Sequence, residues 1–207
     1  MRKAEKMKKA EKMLSSKKFI KSEIEGTLSS GEAQKAWDKA KELLQKMYDE
    51  HEGLPKGVAA HTDQMIFPAA AIYLALKEVA PNKAYDIMKE SMKKQAMGAG
   101  QSYAKMAKIP GFKKFFLGLF GSMSRKMFGE SAGFKNVFYQ CPKGKFKMDI
   151  TECPYNKYLT EVGCPELNVL FCDNDVYAYG NIPGMKFTRT KTIGAGDELC
   201  DFEMEVI

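Results

Sequence analysis

The stretch Lys135-Asn-Val-Phe-Tyr-Gln-Cys-Pro-Lys-Gly-Lys-Phe-Lys-Met-Asp-Ile150 decides the fold, because the spacing of apolar residues changes there. Asn136 to Gln140 reads as an aromatic-rich strand and Pro142-Lys-Gly144 as a turn. Phe146, Met148 and Ile150 then alternate with Lys147 and Asp149, so a hairpin is expected. Period 2 is the mark of a sheet with one buried face. Upstream of Gly133 the period is close to 3.6, and the first 130 residues read as helical.

Ser29 and Glu32 stand at capping-box spacing before Ala33, Ala36, Trp37, Ala40, Leu44, Met47 and Tyr48, which predicts a long helix. Glu52-Gly-Leu-Pro-Lys-Gly57 ends it. A second apolar helix is expected from about Met65 to Val79, with Pro68 tolerable only in its first turn. A third opens at Pro81, with Ala84, Ile87, Met88, Ser91 and Met92 on one face. A fourth starts near Gln101, breaks at Ile109-Pro-Gly111 and resumes from Phe112 to Met127. Downstream of the hairpin, Thr151 is read as capping a helix through Tyr155, Tyr158 and Leu159. Pro165 opens a short helix toward Cys172, and strands follow over about Lys186 to Ile193 and Leu199 to Val206. The expected class is α+β, a helical N-terminal two-thirds packed on a small, mostly antiparallel C-terminal sheet. The expected organisation is a basic helical arm over 1–24 and a single α+β domain over 25–207. Within that domain a helical layer spans 25–130 and a sheet-containing, cysteine-rich part spans 131–207.

At 207 residues the chain is long enough to bury a core without staples. Its five cysteines are an odd number, there is no CxxC pair, and Met-Arg-Lys-Ala-Glu-Lys lacks an apolar leader, so reduced thiols in the cytoplasm are expected. No apolar run spans a bilayer. The formal charge of +7 is concentrated N-terminally, where nine of the first 21 residues are Lys or Arg. Residues 2 to 14 would form a short amphipathic helix with Ala4, Met7, Ala10 and Leu14 on one side, and a helix that short needs a docking partner. No nucleic-acid-binding signature is present, so no nucleic-acid partner is expected. The Phe112 to Phe128 segment is basic and strongly apolar on one side. It suits packing on the sheet, and also weak contact with a membrane surface.

The chemistry gathers in the tail. On the last strand Cys200 shares a face with the apolar Phe202, Met204 and Val206, the setting of a buried small hydrophobe. Arg189 shares a strand face with Phe187 and Ile193, where a guanidinium needs a carboxylate, from substrate or protein. Cys172-Asp-Asn-Asp175 sets a thiol beside carboxylates, read as lying where a helix ends. Cys172 would need Arg189 or His61 nearby to be a thiolate nucleophile; alternatively, Asp175 could act as a general base on water. Ile193-Gly-Ala-Gly-Asp197 is a ligand-approach loop or a plain hairpin loop, bringing in Gly196 and Asp197. His61 is placed in a loop beside Asp63.

The ordered motifs Cys153-Pro-Tyr155, Gly163-Cys-Pro-Glu-Leu167, Phe171-Cys-Asp-Asn-Asp175, Phe187-Thr-Arg189, Thr192-Ile-Gly-Ala-Gly196 and Cys200-Asp-Phe202 resemble the L-2-amino-thiazoline-4-carboxylic acid hydrolase family. The resemblance covers about 134–207, is weaker at 61–80, and does not reach the basic arm. It implies hydrolytic opening of a cyclic amidine that carries a carboxylate, giving an N-carbamoyl amino acid. Cys172, Asp175, Cys200 and Asp197 would be the catalytic candidates, and Arg189, Tyr155, His61 and Gly196 the substrate-binding ones. The implied partner is a small-molecule substrate; no cofactor, metal-ligand set or oligomeric state is assigned. A fainter likeness in the closing turn and strand links the chain to vinyl-reductase-type ligand-binding domains. That likeness keeps open a small-molecule or metal-sensing module with Cys153, Cys172 and Cys200 as soft ligands.

Overall fold

A computed structural model describes residues 3–207, with side chains from Met7 onward. Seven helices come first: α1 (Lys3–Ser15), α2 (Lys18–Thr27), α3 (Ser30–Glu50), α4 (Lys56–His61), α5 (Phe67–Val79), α6 (Pro81–Met106) and α7 (Phe112–Met127). The capping box forms as expected. Glu32 N–H donates to Ser29 Oγ at 3.4 Å and Ser29 N–H donates to Glu32 Oε2 at 3.0 Å. Alanines on both α3 (Ala36, Ala40) and α5 (Ala70, Ala71, Ala75) are fully or almost fully buried, which lets these two helices pack closely. Helix α1 buries Ala10 and Leu14 in the same core; Met7, expected on that side, is 49 % exposed, and Ala4 lies outside the described side chains. Helix α2, which the sequence reading missed, adds Ile20 and Ile24 one turn apart. The position after residue 24 therefore falls inside a helix.

A widened turn, Thr62–Ile66, joins α4 to α5, and Pro68 accounts for part of its bonding. Proline has no N–H to give the carbonyl four residues back, and across the wide turn the Phe67 N–H reaches Thr62 instead of Asp63. Two carbonyls are thereby released. Lys17 Nζ donates to the Gln64 oxygen at 2.6 Å and Tyr48 Oη to the Asp63 oxygen at 2.8 Å. The basic N-terminal segment thus satisfies a defect in the central helix, and Lys9 pairs with the Asp63 carboxylate at 2.5 Å. His61, expected in a loop, ends α4 and is buried.

Helix α6 is continuous where two helices were expected. Gly98 and Gly100 lower helix propensity there, but Gly100 faces α9, where an added Cβ would lie 2.6 Å from the Tyr177 carbonyl oxygen. Gly98 has nothing within 4 Å. Gly98→Ala is therefore expected to stabilise the protein by roughly 0.5–1 kcal/mol, and Gly100→Ala to destabilise it by about 2 kcal/mol. Urea midpoints check both signs.

The remaining elements are β1 (Lys135–Phe138), β2 (Lys145–Glu152), α8 (Pro154–Glu161), α9 (Asn168–Tyr179), β3 (Met185–Thr188) and β4 (Cys200–Val206). The sheet order is β1-β2-β4-β3, antiparallel throughout, and β1–β2 is the expected hairpin. Phe146 pairs with Met204, Met148 with Phe202 and Ile150 with Cys200, which puts Cys200 on the apolar face. The opposite face carries Lys145, Glu203 and Glu205. Helix α7 covers the apolar face; Phe120 stacks on Phe202 at 5.4 Å between ring centroids. Thr151 lies within β2, and α8 starts only at Pro154, with Cys153 at its cap. Strand β3 stops at Thr188 because Asp201 takes the backbone N–H groups of Thr190 and Lys191 and turns the chain. Among the described residues no helix is long and apolar enough to cross a membrane.

Candidate active site

Two apolar clusters meet at Tyr155: the helical bundle, and the layer between α7 and the sheet. A cavity of about 230 Å³ lies at this seam. Its helical wall is one face of α9, where Asn168, Phe171, Cys172, Asp175 and Tyr179 follow the i, i+3, i+4, i+7, i+11 pattern. This corrects the expectation that Cys172 to Asp175 ends a helix. Asp and Asn are ordinary turn formers, but here packing on α6 carries the helix on to Tyr179, and Gly180 follows. Phe120, Phe128, Phe134, Met148 and Phe202 make the opposite wall apolar, while Cys153, Arg189 and Cys200 bring polar chemistry to it. Cys153, Cys172 and Cys200 therefore converge, and all five cysteines of the chain are free thiols.

Cys200 is held by the loop that precedes β4. The Ile193 N–H donates to its Sγ at 3.2 Å and Thr192 Oγ1 lies 3.6 Å away. The Cys172 thiol is the largest influence on it; as a hydrogen-bond donor it holds Cys200 below the usual thiol range against the opposing effect of burial. The Ile193 amide, the Thr192 side chain and the Arg189 guanidinium act in the same direction. Cys172 moves the opposite way, raised first by its bond to Cys200 and then by burial. The two thiols are thus shifted in opposite directions, Cys200 down and Cys172 up. Burial pushes Cys153 up to about 11.

Arg189 is one residue past β3 and 6 % exposed, and it points to the same side as Phe187. Its Nη1 donates to the Cys172 carbonyl at 2.6 Å and to Asp175 Oδ2 at 3.2 Å. Among the described residues, the other guanidinium N–H groups have no hydrogen-bond partner. Asp175 retains 40 % of its side-chain surface, and it lines the cavity. Burial pushes its carboxyl up to about 7, with Arg189 pulling down and Cys200 adding to the rise.

Tyr155 lines the cavity, and His61 stands behind it: Nδ1 is 3.1 Å from Tyr155 Oη and Nε2 2.9 Å from the Met127 carbonyl. A carbonyl only accepts, so Nε2 carries the proton and Tyr155 donates to Nδ1. Burial lowers the His61 pKa, against the opposing effect of the bond to the Met127 carbonyl. His61 thus reaches the cavity only through Tyr155.

Asp197 and Gly196 are not brought to the cavity. Both are exposed. The Asp197 carboxylate accepts the Thr192 N–H at 2.7 Å, and Gly196, at φ +101°, makes the turn. Together they fold Thr192 and Ile193 over Cys200. Gly194 is held tightly, since an added Cβ would lie 2.8 Å from Cys172 Sγ.

Sequence reasoning missed Asn168 and Tyr179, as well as the Thr192 hydroxyl and Ile193 amide. The helical spacing from Asn168 to Tyr179 was the available signal. The side-chain oxygens of Asn168 and Asn174 are buried without a partner, so polar capacity is held in the cavity wall. Among the described residues no group of three or more His, Cys, Asp or Glu is placed to hold a metal ion, and the soft-metal arrangement of the three thiols is not formed.

No curated protein and no solved structure shows a significant match to this chain. The sequence profile described as L-2-amino-thiazoline-4-carboxylic acid hydrolase matches residues 59–204. That span runs from α4 through β4 and takes in every residue lining the cavity, well beyond the tail motifs alone. The chain belongs to the L-2-amino-thiazoline-4-carboxylic acid hydrolase family.

Proposed function

We propose that the cavity is the active site of a hydrolase opening a small, carboxylated thiazoline, with Cys200 as nucleophile, Asp175 as acid and base, and Arg189 binding the substrate carboxylate. One observation carries this reading: a thiol held below its usual range, a carboxyl raised by burial to about 7 and the Arg189 guanidinium line one cavity. The family description supports the substrate class.

In this reading Cys200 Sγ bonds to the ring carbon between nitrogen and sulfur. The ring C–S bond breaks, and the departing sulfur takes the Asp175 proton. Water then adds across the C=N bond of the adduct through Asp175. Collapse expels Cys200 as thiolate, returns the proton to Asp175, and leaves an N-carbamoyl amino acid with a free thiol. The net change is ring plus one water. Cys172 steadies the thiolate and Tyr155 shapes the wall.

The aromatic lining favours a second reading, a binding module that holds an apolar ligand without turning it over. An assay of 2-amino-thiazoline-4-carboxylate with thiol release as the readout separates the two. Tight binding with no thiol released supports the module and overturns the enzyme. For the enzyme, ionising Cys200 raises the rate with pH, and deprotonating Asp175 lowers it above about 7. The kcat/KM profile is therefore expected to be a bell that begins to fall near neutrality. In Asp175→Asn the alkaline fall should disappear and the rate should drop about a hundredfold or more.

A further inference from the structure

Helix α7 turns Leu117 and Ser124 to the interior and leaves Phe115, Leu119, Met123 and Met127 at 66, 47, 48 and 45 % exposed. The four are successive i, i+4 neighbours, so they form one stripe winding slowly over the outer side of the helix. Ile109, in the turn before α7, is also 58 % exposed. Single exposed apolar residues are ordinary, but a continuous row of this length is the form of a contact surface.

Charge identifies what it contacts. Between Tyr103 and Gly129 the chain carries Lys105, Lys108, Lys113, Lys114, Arg125 and Lys126 and no Asp or Glu. Among the described residues none of these six cations is in an ion pair. Lys114 and Arg125 flank the stripe on one side, and Lys126 lies within its last turn. A second copy of the chain would bring the same cations against one another, so the surface favours an anionic partner over itself. A helix face with one apolar line and cationic flanks is the pattern that lies in a bilayer interface, apolar side chains at the acyl boundary and cations among the phosphates.

We propose that the outer face of α7 docks the protein on an anionic phospholipid surface. The site is separate from the proposed chemistry, because Phe115, Leu119, Met123 and Met127 do not line the cavity.

Flotation with vesicles of phosphatidylcholine alone, and with about 30 % phosphatidylglycerol added, tests it. The whole protein is expected to bind the anionic vesicles at least about tenfold more tightly than the neutral ones, and salt should weaken the binding. The triple variant Phe115→Ser, Leu119→Ser, Met123→Ser replaces exposed side chains, so it should keep its thermal midpoint and lose binding by about tenfold or more. Lys114→Glu with Lys126→Glu should lose the preference for anionic lipid while folding normally. No binding by the wild type, equal binding to both vesicles, or full binding by the serine variant would overturn the proposal. So would a wild-type dimer that the serine variant turns into monomers, or co-purification with an acidic protein in place of lipid; either would assign the stripe to a protein partner.

Discussion

The Cys200→Ala protein is expected to bind 2-amino-thiazoline-4-carboxylate and to release thiol from it at least about a thousandfold more slowly than wild type. The size follows from the covalent role, because the methyl group cannot bond to the ring carbon and no other thiol is placed to substitute. Cys172 is raised and serves as donor, and burial pushes Cys153 up to about 11. Single-turnover measurements with direct binding separate the chemical step from affinity. A Cys200→Ala protein with normal turnover would move the chemistry to water activated by Asp175. Cys172→Ala should act differently: by removing the donor it raises the Cys200 pKa and shifts the acid limb of the rate profile upward, without abolishing turnover.

Arg189→Met is expected to raise KM by roughly 10- to 100-fold, with a smaller effect on kcat. The charge-assisted bonds to a substrate carboxylate that it removes are worth about 1.5–3 kcal/mol. The same change removes the group that pulls Asp175 down, so the alkaline limb should move to higher pH. Arg189→Lys should recover only part of the affinity, because an ammonium lacks the planar fork. A methionine variant with unchanged KM would leave Arg189 as the structural partner of Asp175 alone.

The parts of the fold that local chemistry dictates were legible. Ser29 and Glu32 announce α3, and the change of period after Gly133 announces the sheet. Alternation along β4 correctly turns Cys200 inward. The parts set by tertiary contact were not. Helix α2 has only Phe19, Ile20 and Ile24 among charged and polar residues, and it becomes recognisable once α6 is there to receive it. Two glycines made α6 look broken at the place where Gly100 admits the α9 backbone. Asp173, Asn174 and Asp175 suggested a turn, yet the helix runs through them and sets Asp175 one turn from Cys172, facing Arg189. For the site, residue types were readable but roles were not. Asp197 and Gly196 belong to the loop that aims the Ile193 amide at Cys200, and His61 acts behind Tyr155.

The account depends on Cys200 being an anion inside a substrate-sized cavity, and the pH dependence of its alkylation by iodoacetamide, read by peptide mass spectrometry, measures that directly. Cys200 is predicted to react before the other four thiols, with a midpoint below the ordinary thiol value of about 8.5, and to be protected by the thiazoline carboxylate. A Cys200 midpoint at or above that value, or unchanged labelling in the presence of the ligand, would contradict it.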